Sequence, residues 1–291
     1  MKLDVAYEFP HTDWNVALIY DNVAKKLEKT FSYIRRIDSG PKSTGNPCNF
    51  YSPHMMTIKN SKTENYIVVS YWDRAQELFY GTCGWDVSKC KAIYTSSGVW
   101  GQALDLSKRY NIPIIPISYS QYRTSYDTMA QNSIPVEEKP NCDLLFRGFL
   151  YGDRKNLSNI LKEYITHIKL DSIDYYKELQ NNKINLSLNG AAEICNRDIE
   201  ILGARSVLLR PKLTQNFKND LVDGIHYVGF EYSANEKEQA QIILETFQNL
   251  KNSPKKIKEI SENGYKWYLE NGSAEKNAEI IISQLDISKL L

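Results

Sequence analysis

The 291-residue sequence predicts an α/β fold, and three observations predict it. Short runs of β-branched and aromatic residues alternate with segments of helical period almost throughout, the pattern of strands joined by helical crossovers. Apolar residues make up 42% of the chain, enough for a sizeable core, and 24% are charged, which is ordinary for a globular protein and excludes intrinsic disorder. Turn formers collect in two places, and no internal repeat or low-complexity tract appears. At about 100 to 200 residues per domain, the length suits one large domain or two ordinary ones.

In the first half, strands are expected at Leu3–Phe9, Tyr66–Tyr71, Ala92–Thr95 and Ile112–Ile117, with helices near Asn15–Lys29 and Trp100–Arg109. Together these make one open parallel sheet. Ser39–Ser52 holds Gly40, Pro41, Gly45, Asn46 and Pro47 with no apolar period, and so is expected to be a loop. A second break runs from Gln131 to Asn141, where Pro135, Pro140 and the charged Glu137-Glu138-Lys139 interrupt any regular element. It separates an N-terminal domain, residues 1–135, from a C-terminal one, residues 141–270.

After the break the alternation restarts. The expected elements are strand Asp143–Arg147, helix Arg154–Lys169, strand Ile184–Leu188, helix Ala191–Leu202, strand Val207–Leu209 and strand Ile225–Phe230. From Asn235 the chain is helical and rich in lysine and glutamate, broken at Pro254 and again near Asn271-Gly272. Residues 271–291 are expected to form a terminal helix that crosses back to the first domain. The expected architecture is two Rossmann-like domains facing a cleft, with a helical C-terminal end.

Charge and cysteine usage narrow the function. The chain carries 36 basic and 35 acidic side chains, a formal charge of +1, which argues against duplex nucleic acid as a partner because such binding leans on clustered Lys and Arg. Five cysteines, at 48, 83, 90, 142 and 195, are odd in number and show no Cys-x-x-Cys spacing, so neither a disulfide framework nor a zinc cage is expected. No apolar run reaches the roughly 18 to 20 residues of a membrane span, and no cleavable leader opens the chain, so a cytoplasmic protein is expected. No Gly-x-Gly-x-x-Gly follows a strand, which argues against a dehydrogenase.

Ligands of open α/β sheets bind beyond the carboxyl ends of the strands, where helix N-termini present free N–H groups. Two junctions are informative. In Asn189-Gly-Ala-Ala-Glu193, Asn189 is placed to cap a helix and Gly190 leaves room for an anion close to the backbone. On that helix Glu193, Arg197 and Glu200 share one face, with Asp198 left inside the apolar arc. The bland alternative is a solvated amphipathic helix with a Glu–Arg pair. In Phe146-Arg147-Gly148 followed by Arg154, a guanidinium stands at a helix start, a place it favours when an anion sits there too; the alternative is a surface ion pair with Asp153 or Glu163.

These residues, with Gly203, Ser206-Val-Leu-Leu209 and His226-Tyr-Val228, resemble the C-terminal half of the CAP10-like glycosyltransferases, family 90, over about Asp143 to Tyr232. Phe-Arg-Gly-Phe stands here where that family has Trp-Arg-Gly-Ser. The resemblance implies a two-domain GT-B enzyme that transfers a sugar from a nucleotide donor, typically UDP-linked, to a glycan or other hydroxyl acceptor with inversion. It also implies that Arg147, Gly148, Arg154, Gly190 and Arg197 line the donor pyrophosphate and that His226 borders it, although packing at a strand edge is the simpler role for that histidine. Glu193 and Glu200 resemble the paired glutamates of retaining GT-B enzymes at a spacing one residue shorter, so both stereochemical outcomes stay open.

Glycosyl transfer develops negative charge on the departing diphosphate, which cationic side chains and helix N–H groups can stabilise. Arg154, Arg197 and the helix start supply this without a metal, and neither metal nor other cofactor is expected. An inverting reaction also needs a base near the acceptor hydroxyl. His11 and Asp13, after the first strand, and Asp73, after the second, are the candidates, with Asp13 favoured over its alternative role as a helix cap. Tyr119, Tyr122 and Tyr126 beside Arg123 form either an acceptor wall or plain packing. Two other functions stay in view: a phage-type glucosyltransferase acting on a modified DNA base, and a non-catalytic module that holds a nucleotide or sugar.

Overall fold

The computed structural model describes residues 2–7, 15–31, 55–71, 87–96, 108–117, 119–121, 123–148, 150, 153–166, 172–190, 193–214 and 219–291. Its first half contains β1 (Leu3–Tyr7), α1 (Asn15–Glu28), β2 (Met55–Asn60), β3 (Tyr66–Ser70), β4 (Cys90–Thr95), β5 (Ile114–Pro116) and α2 (Thr124–Ala130). Then come β6 (Asn141–Phe146), α3 (Asp153–Ile160), β7 (Ile165–Thr166), α4 (Ser172–Asn181), β8 (Asn182–Leu186), α5 (Asn196–Gly203), β9 (Val207–Pro211) and β10 (Val228–Phe230). Three helices close the chain: α6 (Glu236–Lys251), α7 (Pro254–Asn271) and α8 (Ala274–Gln284).

The chain packs as two units: residues 1–124, 215–219 and 273–291 in one, residues 125–214 and 220–272 in the other. The division falls after Thr124, ahead of the proline-rich break at 135–140. The segment before that break belongs with the second unit by its contacts: Tyr126 stacks on Tyr176 with centroids 4.5 Å apart, and Tyr268 Oη donates to Asp127 Oδ1 at 2.7 Å.

In the first unit the strand order is β1-β2-β3-β4-β5. The sheet is mixed, which corrects the expectation of parallel strands alone: β1 and β3 both run antiparallel to β2, while β3, β4 and β5 are parallel. The cause is β2, a strand that the sequence pattern does not reveal. Only residues 61–65 separate β2 from β3, far short of the dozen or more a parallel crossover needs, and Asn60 Oδ1 accepts from Lys62 N–H at 2.8 Å to close the turn. The expected helix at Trp100–Arg109 lies mostly outside the described residues, of which 108–110 are helical.

Leu3, Val5, Ile58, Ile67 and Val69 of this sheet form a core with Ile19, Tyr20 and Val23 of α1. Ala274, Ala278 and Ile281 of α8 and Leu290 beyond it complete that core. Polar contacts fix the same segment: Tyr71 Oη donates to Asn277 Oδ1 at 3.1 Å, Tyr94 Oη to Gln284 O at 3.0 Å, and Asn60 Nδ2 to Leu290 O at 2.9 Å.

In the second unit every strand pair is parallel and the order is β10-β9-β8-β6-β7. Counted from β6, this is the doubly wound 2-1-3-4-5 arrangement, whose direction of winding reverses between β6 and β8. All five residues of β9 are buried, as a parallel sheet covered on both faces requires. Two expected helix bounds are corrected. The helix from Arg154 ends at Ile160, because residues 161–164 turn the chain into the short edge strand β7; the unanticipated α4 then returns it to β8. The helix expected from Ala191 begins only at Asn196, because its N-cap is Cys195, whose backbone N–H the Asp198 side chain accepts. The breaks expected at Pro254 and Asn271-Gly272 fall where α7 begins and ends.

Candidate functional site

The winding reversal in the second unit places a crevice beyond the carboxyl ends of β6 and β8, the position where open α/β sheets take their ligands. β6 ends at Phe146 and delivers Arg147 and Gly148; β8 ends at Leu186 and delivers Ser187 to Gly190. Both are junctions that the sequence singles out.

At the first, Gly148 lies face-on against the guanidinium of Arg197. A Cβ added there would stand 2.9 Å from Arg197 Cζ and Nη1 and 3.0 Å from Nη2, closer than atoms tolerate. Only hydrogen fits. Arg197 also sits 5.1 Å from the centroid of the Phe146 ring, and its Nη2 points at Cys195 Sγ 3.9 Å away. The side chain is 8% exposed, and Nη1 is buried with no hydrogen-bond partner among the described residues. Burial pulls the pKa of this arginine down, but Cys195, Tyr175, Asp198 and Glu200 around it more than offset that and hold it above its ordinary value, so the group stays cationic. A buried cation with an unused donor is a receptor for an anion.

Arg154 approaches the second junction. It is buried, and Nε donates to Asn189 O at 2.9 Å and Nη2 to Leu188 O at 2.8 Å. Its charge and those of Arg197 and Arg210 act on the Cys195 thiol, whose pKa burial nonetheless pushes up. The three guanidiniums therefore all lie near Cys195, just ahead of α5.

Other expected site residues are engaged elsewhere. Arg147 gives Nε and Nη2 to the two carboxylate oxygens of Glu178 on α4, a bidentate pair that leaves little of the fork for a ligand. His226 accepts from Val222 N–H through Nδ1 at 2.9 Å and stabilises its own turn; burial lowers its pKa. Gly190 is half-buried beside Asn189. His11, Asp13 and Asp73 lie outside the described residues, as does Tyr122. Tyr119 packs edge-on to Tyr71 with centroids 6.2 Å apart.

The expected helix face of Glu193, Arg197 and Glu200 does not form, because Glu193 precedes the helix, and the solvated amphipathic alternative fails too, since all three are buried. Glu193 Oε1 accepts from Thr214 N–H at 2.6 Å and Oγ at 2.9 Å, joining the loop after β8 to the loop after β9. Glu200 accepts from Tyr175 Oη at 2.6 Å. Asn189 is not the helix cap: its Oδ1 accepts from Arg210 Nη2 at 3.1 Å. Cys195 takes that place, and Asp198, three residues on, accepts Cys195 N–H at 2.8 Å, so that α5 starts at Asn196.

Asp198, the acid with no account in the sequence, forms a buried ion pair with Arg210 Nη1 at 2.8 Å, each residue being 1% exposed. Arg210 was missed, although an arginine ending the apolar run Val207-Leu-Leu was a usable signal: a charge in a buried strand demands a partner, and Asp198 in an apolar arc was the partner on offer. Among the described residues, no group of three or more His, Cys, Asp or Glu could hold a metal, and no helix is long and apolar enough to cross a membrane.

The sequence matches no protein-family model and no curated protein. Solved structures resemble the fold. One is an α-glucosyltransferase in complex with UDP and a 13-mer DNA containing an HMU base, at TM-score 0.57 and 8% identity over 98% of this chain and 100% of that one. Another is the pneumococcal O-GlcNAc transferase GtfA in complex with UDP and GlcNAc, at TM-score 0.49 and 10% identity over 66% of this chain; the present chain spans 44% of that protein's length. A glycosyltransferase from Rickettsia africae is similar at TM-score 0.48 and 13% identity, covering 90% of this chain and 79% of that one. The chain has the GT-B fold, shared with the α-glucosyltransferase over the whole length of both.

Proposed function

We propose that the chain is a glycosyltransferase that moves a hexosyl or pentosyl group from a UDP-linked donor to a hydroxyl of a glycan or other acceptor. The observation that carries this reading is the buried Nη1 of Arg197, without a hydrogen-bond partner among the described residues and set against Gly148, at the winding reversal of a doubly wound sheet. A donor diphosphate placed there would accept from Arg197 and sit within the field of Arg154, and both charges would stabilise the leaving UDP. Two guanidiniums serve where a divalent cation otherwise would, so the proposed reaction needs no metal or other cofactor.

Asp13 is the proposed base that takes the acceptor proton, with Asp73 and His11 as the other candidates; attack from the side opposite the departing UDP then inverts the anomeric centre. The narrower kinship with CAP10-like enzymes is supported by the contact between Gly148 and Arg197, two positions of its motif. A cytoplasmic location accords with this use of a nucleotide sugar.

A second reading keeps the donor and changes the acceptor to a modified DNA base. It is favoured by the match to the DNA-bound α-glucosyltransferase over all of that chain, and it is opposed by the net charge of +1.

The test is a thermal-shift panel of UDP, GDP, CMP and NAD, since a ligand that binds only the folded state raises the melting temperature. UDP is expected to stabilise the wild type and not Arg197→Ala; stabilisation by NAD alone would contradict the reading. Hydrolysis of UDP-sugars by the wild type, lost in Asp13→Asn or Asp73→Asn, would then separate an enzyme from a binding module. Short DNA carrying hydroxymethylated bases, offered beside glycans as acceptors, separates the two readings.

A further inference from the structure

We infer that Arg210 and Asn189 form a positioning couple that sets the place of Arg197, an inference that rests on the UDP-sugar reading. Arg210 is buried at the end of β9, and its guanidinium engages four acceptors. Nε donates to Pro211 O at 3.0 Å and Nη1 to Asp198 Oδ2 at 2.8 Å; Nη2 donates to Asn189 Oδ1 at 3.1 Å and to Glu193 O at 2.8 Å. Three segments therefore meet on one side chain: the end of β9, the first turn of α5 and the loop after β8.

The same loop is gripped from its other side by Arg154, on the carbonyls of Leu188 and Asn189. Asn189 is thus held twice, by its side chain and by its backbone. The start of α5 depends on that hold. Asp198 fixes where the helix begins by accepting Cys195 N–H, and Arg210 fixes Asp198. Arg197, second residue of α5, has its guanidinium against Gly148, so a shift of the loop would move Nη1, which has no partner among the described residues, away from a phosphate placed there.

A role confined to holding the fold together would need only the ion pair with Asp198. The positioning role needs the fork as well. Lysine keeps the charge on Asp198 but cannot also span Asn189 Oδ1 and Glu193 O with a planar pair of donors. Asn189→Ala removes the loop-side acceptor alone, at a half-buried position, and leaves the buried ion pair intact.

The experiment compares wild type, Asn189→Ala, Arg210→Lys and the double variant in three measurements: the UDP dissociation constant, the urea midpoint, and the rate at which iodoacetamide alkylates Cys195, read by peptide mass spectrometry. Asn189→Ala is expected to keep the wild-type midpoint, weaken UDP about tenfold, the equivalent of about 1.4 kcal/mol, and speed Cys195 alkylation several-fold. The double variant should be no worse than Arg210→Lys, because Arg210→Lys already breaks the contact that Asn189→Ala removes. Unchanged UDP binding and alkylation in a folded Asn189→Ala would overturn the inference, as would losses that simply add. A wild type that does not bind UDP overturns the donor reading instead, and the Cys195 rate then decides by itself whether the couple fixes the loop.

Discussion

Alanine at position 148 inserts one methyl group into the contact on which the donor reading rests. The added Cβ would stand 2.9 Å from Arg197 Cζ and Nη1 and 3.0 Å from Nη2, where non-bonded heavy atoms prefer about 3.5 Å or more. The guanidinium, as the far end of a flexible side chain, gives way by roughly half an ångström or more. Gly148 is not among the glycines with positive φ, so alanine fits its backbone. Removing glycine from such a position gains about 0.4 to 1 kcal/mol through the unfolded state, against a cation–π contact with Phe146 of about 0.5 to 2 kcal/mol. Folding stability should therefore stay within about 1 kcal/mol of wild type. Ligand affinity should not, because a hydrogen bond to a charged group contributes about 1.5 to 3 kcal/mol, or about tenfold to 150-fold in the dissociation constant at 1.4 kcal/mol per decade. Titration calorimetry of UDP and urea unfolding on the same preparation measure both quantities. A folded Gly148→Ala that binds UDP as tightly as the wild type would refute the placement of the diphosphate on Arg197.

Three further outcomes concern other parts of the chain. Asp198→Asn leaves Arg210 buried without a counter-charge and should cost about 3 to 5 kcal/mol in urea unfolding; a loss below about 1 kcal/mol would show that the pair does not organise α5. Lys139 donates to the carbonyls of Gln180 and Ala204, and burial pushes its pKa from 10.5 down to about 7. Between those two values the unfolded chain holds more protons than the folded one, so stability rises with pH across that window and is lost as pH falls. The urea midpoint of wild type relative to Lys139→Met should accordingly climb from pH 7 to pH 10, and a flat difference would contradict the assignment. Truncation after Gly272 removes Ala278, Ile281 and Leu290 from the core of the first unit together with the partners of Tyr71 and Tyr94. The shortened chain should lose one unfolding transition by calorimetry while the other persists; two intact transitions would mean that α8 is dispensable.

Periodicity made most of the second unit legible. β6, β8, β9 and the helices from Glu236 onward fall within a few residues of their expected places, because each buries a face whose apolar spacing is intact, and Pro254 and Gly272 mark the start and the end of α7. β2 was not legible, since Met-Met-Thr-Ile-Lys-Asn alternates too weakly to separate it from loop, and with it went the antiparallel half of the first sheet. The start of α5 was misplaced for a different reason. Asn189 has the chemistry of a cap, but the N-cap is Cys195, whose N–H Asp198 accepts, and a distant residue, Arg210, holds the side chains of Asn189 and Asp198 alike. Local sequence does not contain those contacts.

The candidate site shows the same division. Gly148 and Arg197 were each readable as parts of a motif, but not that one rests on the other. Arg147 looked equivalent to Arg154 until Glu178 claimed its fork. Glu200, which the sequence pairs with Glu193, accepts from Tyr175 on α4. In each case a partner far along the chain fixes what that residue touches.

A crystal structure with UDP bound bears hardest on the placement of the diphosphate. The expected result is a β-phosphate oxygen about 2.7 to 2.9 Å from Arg197 Nη1, the range of a charge-assisted hydrogen bond, with the diphosphate over Gly148. UDP held elsewhere, with Nη1 still facing Gly148 and no phosphate in reach, would contradict it.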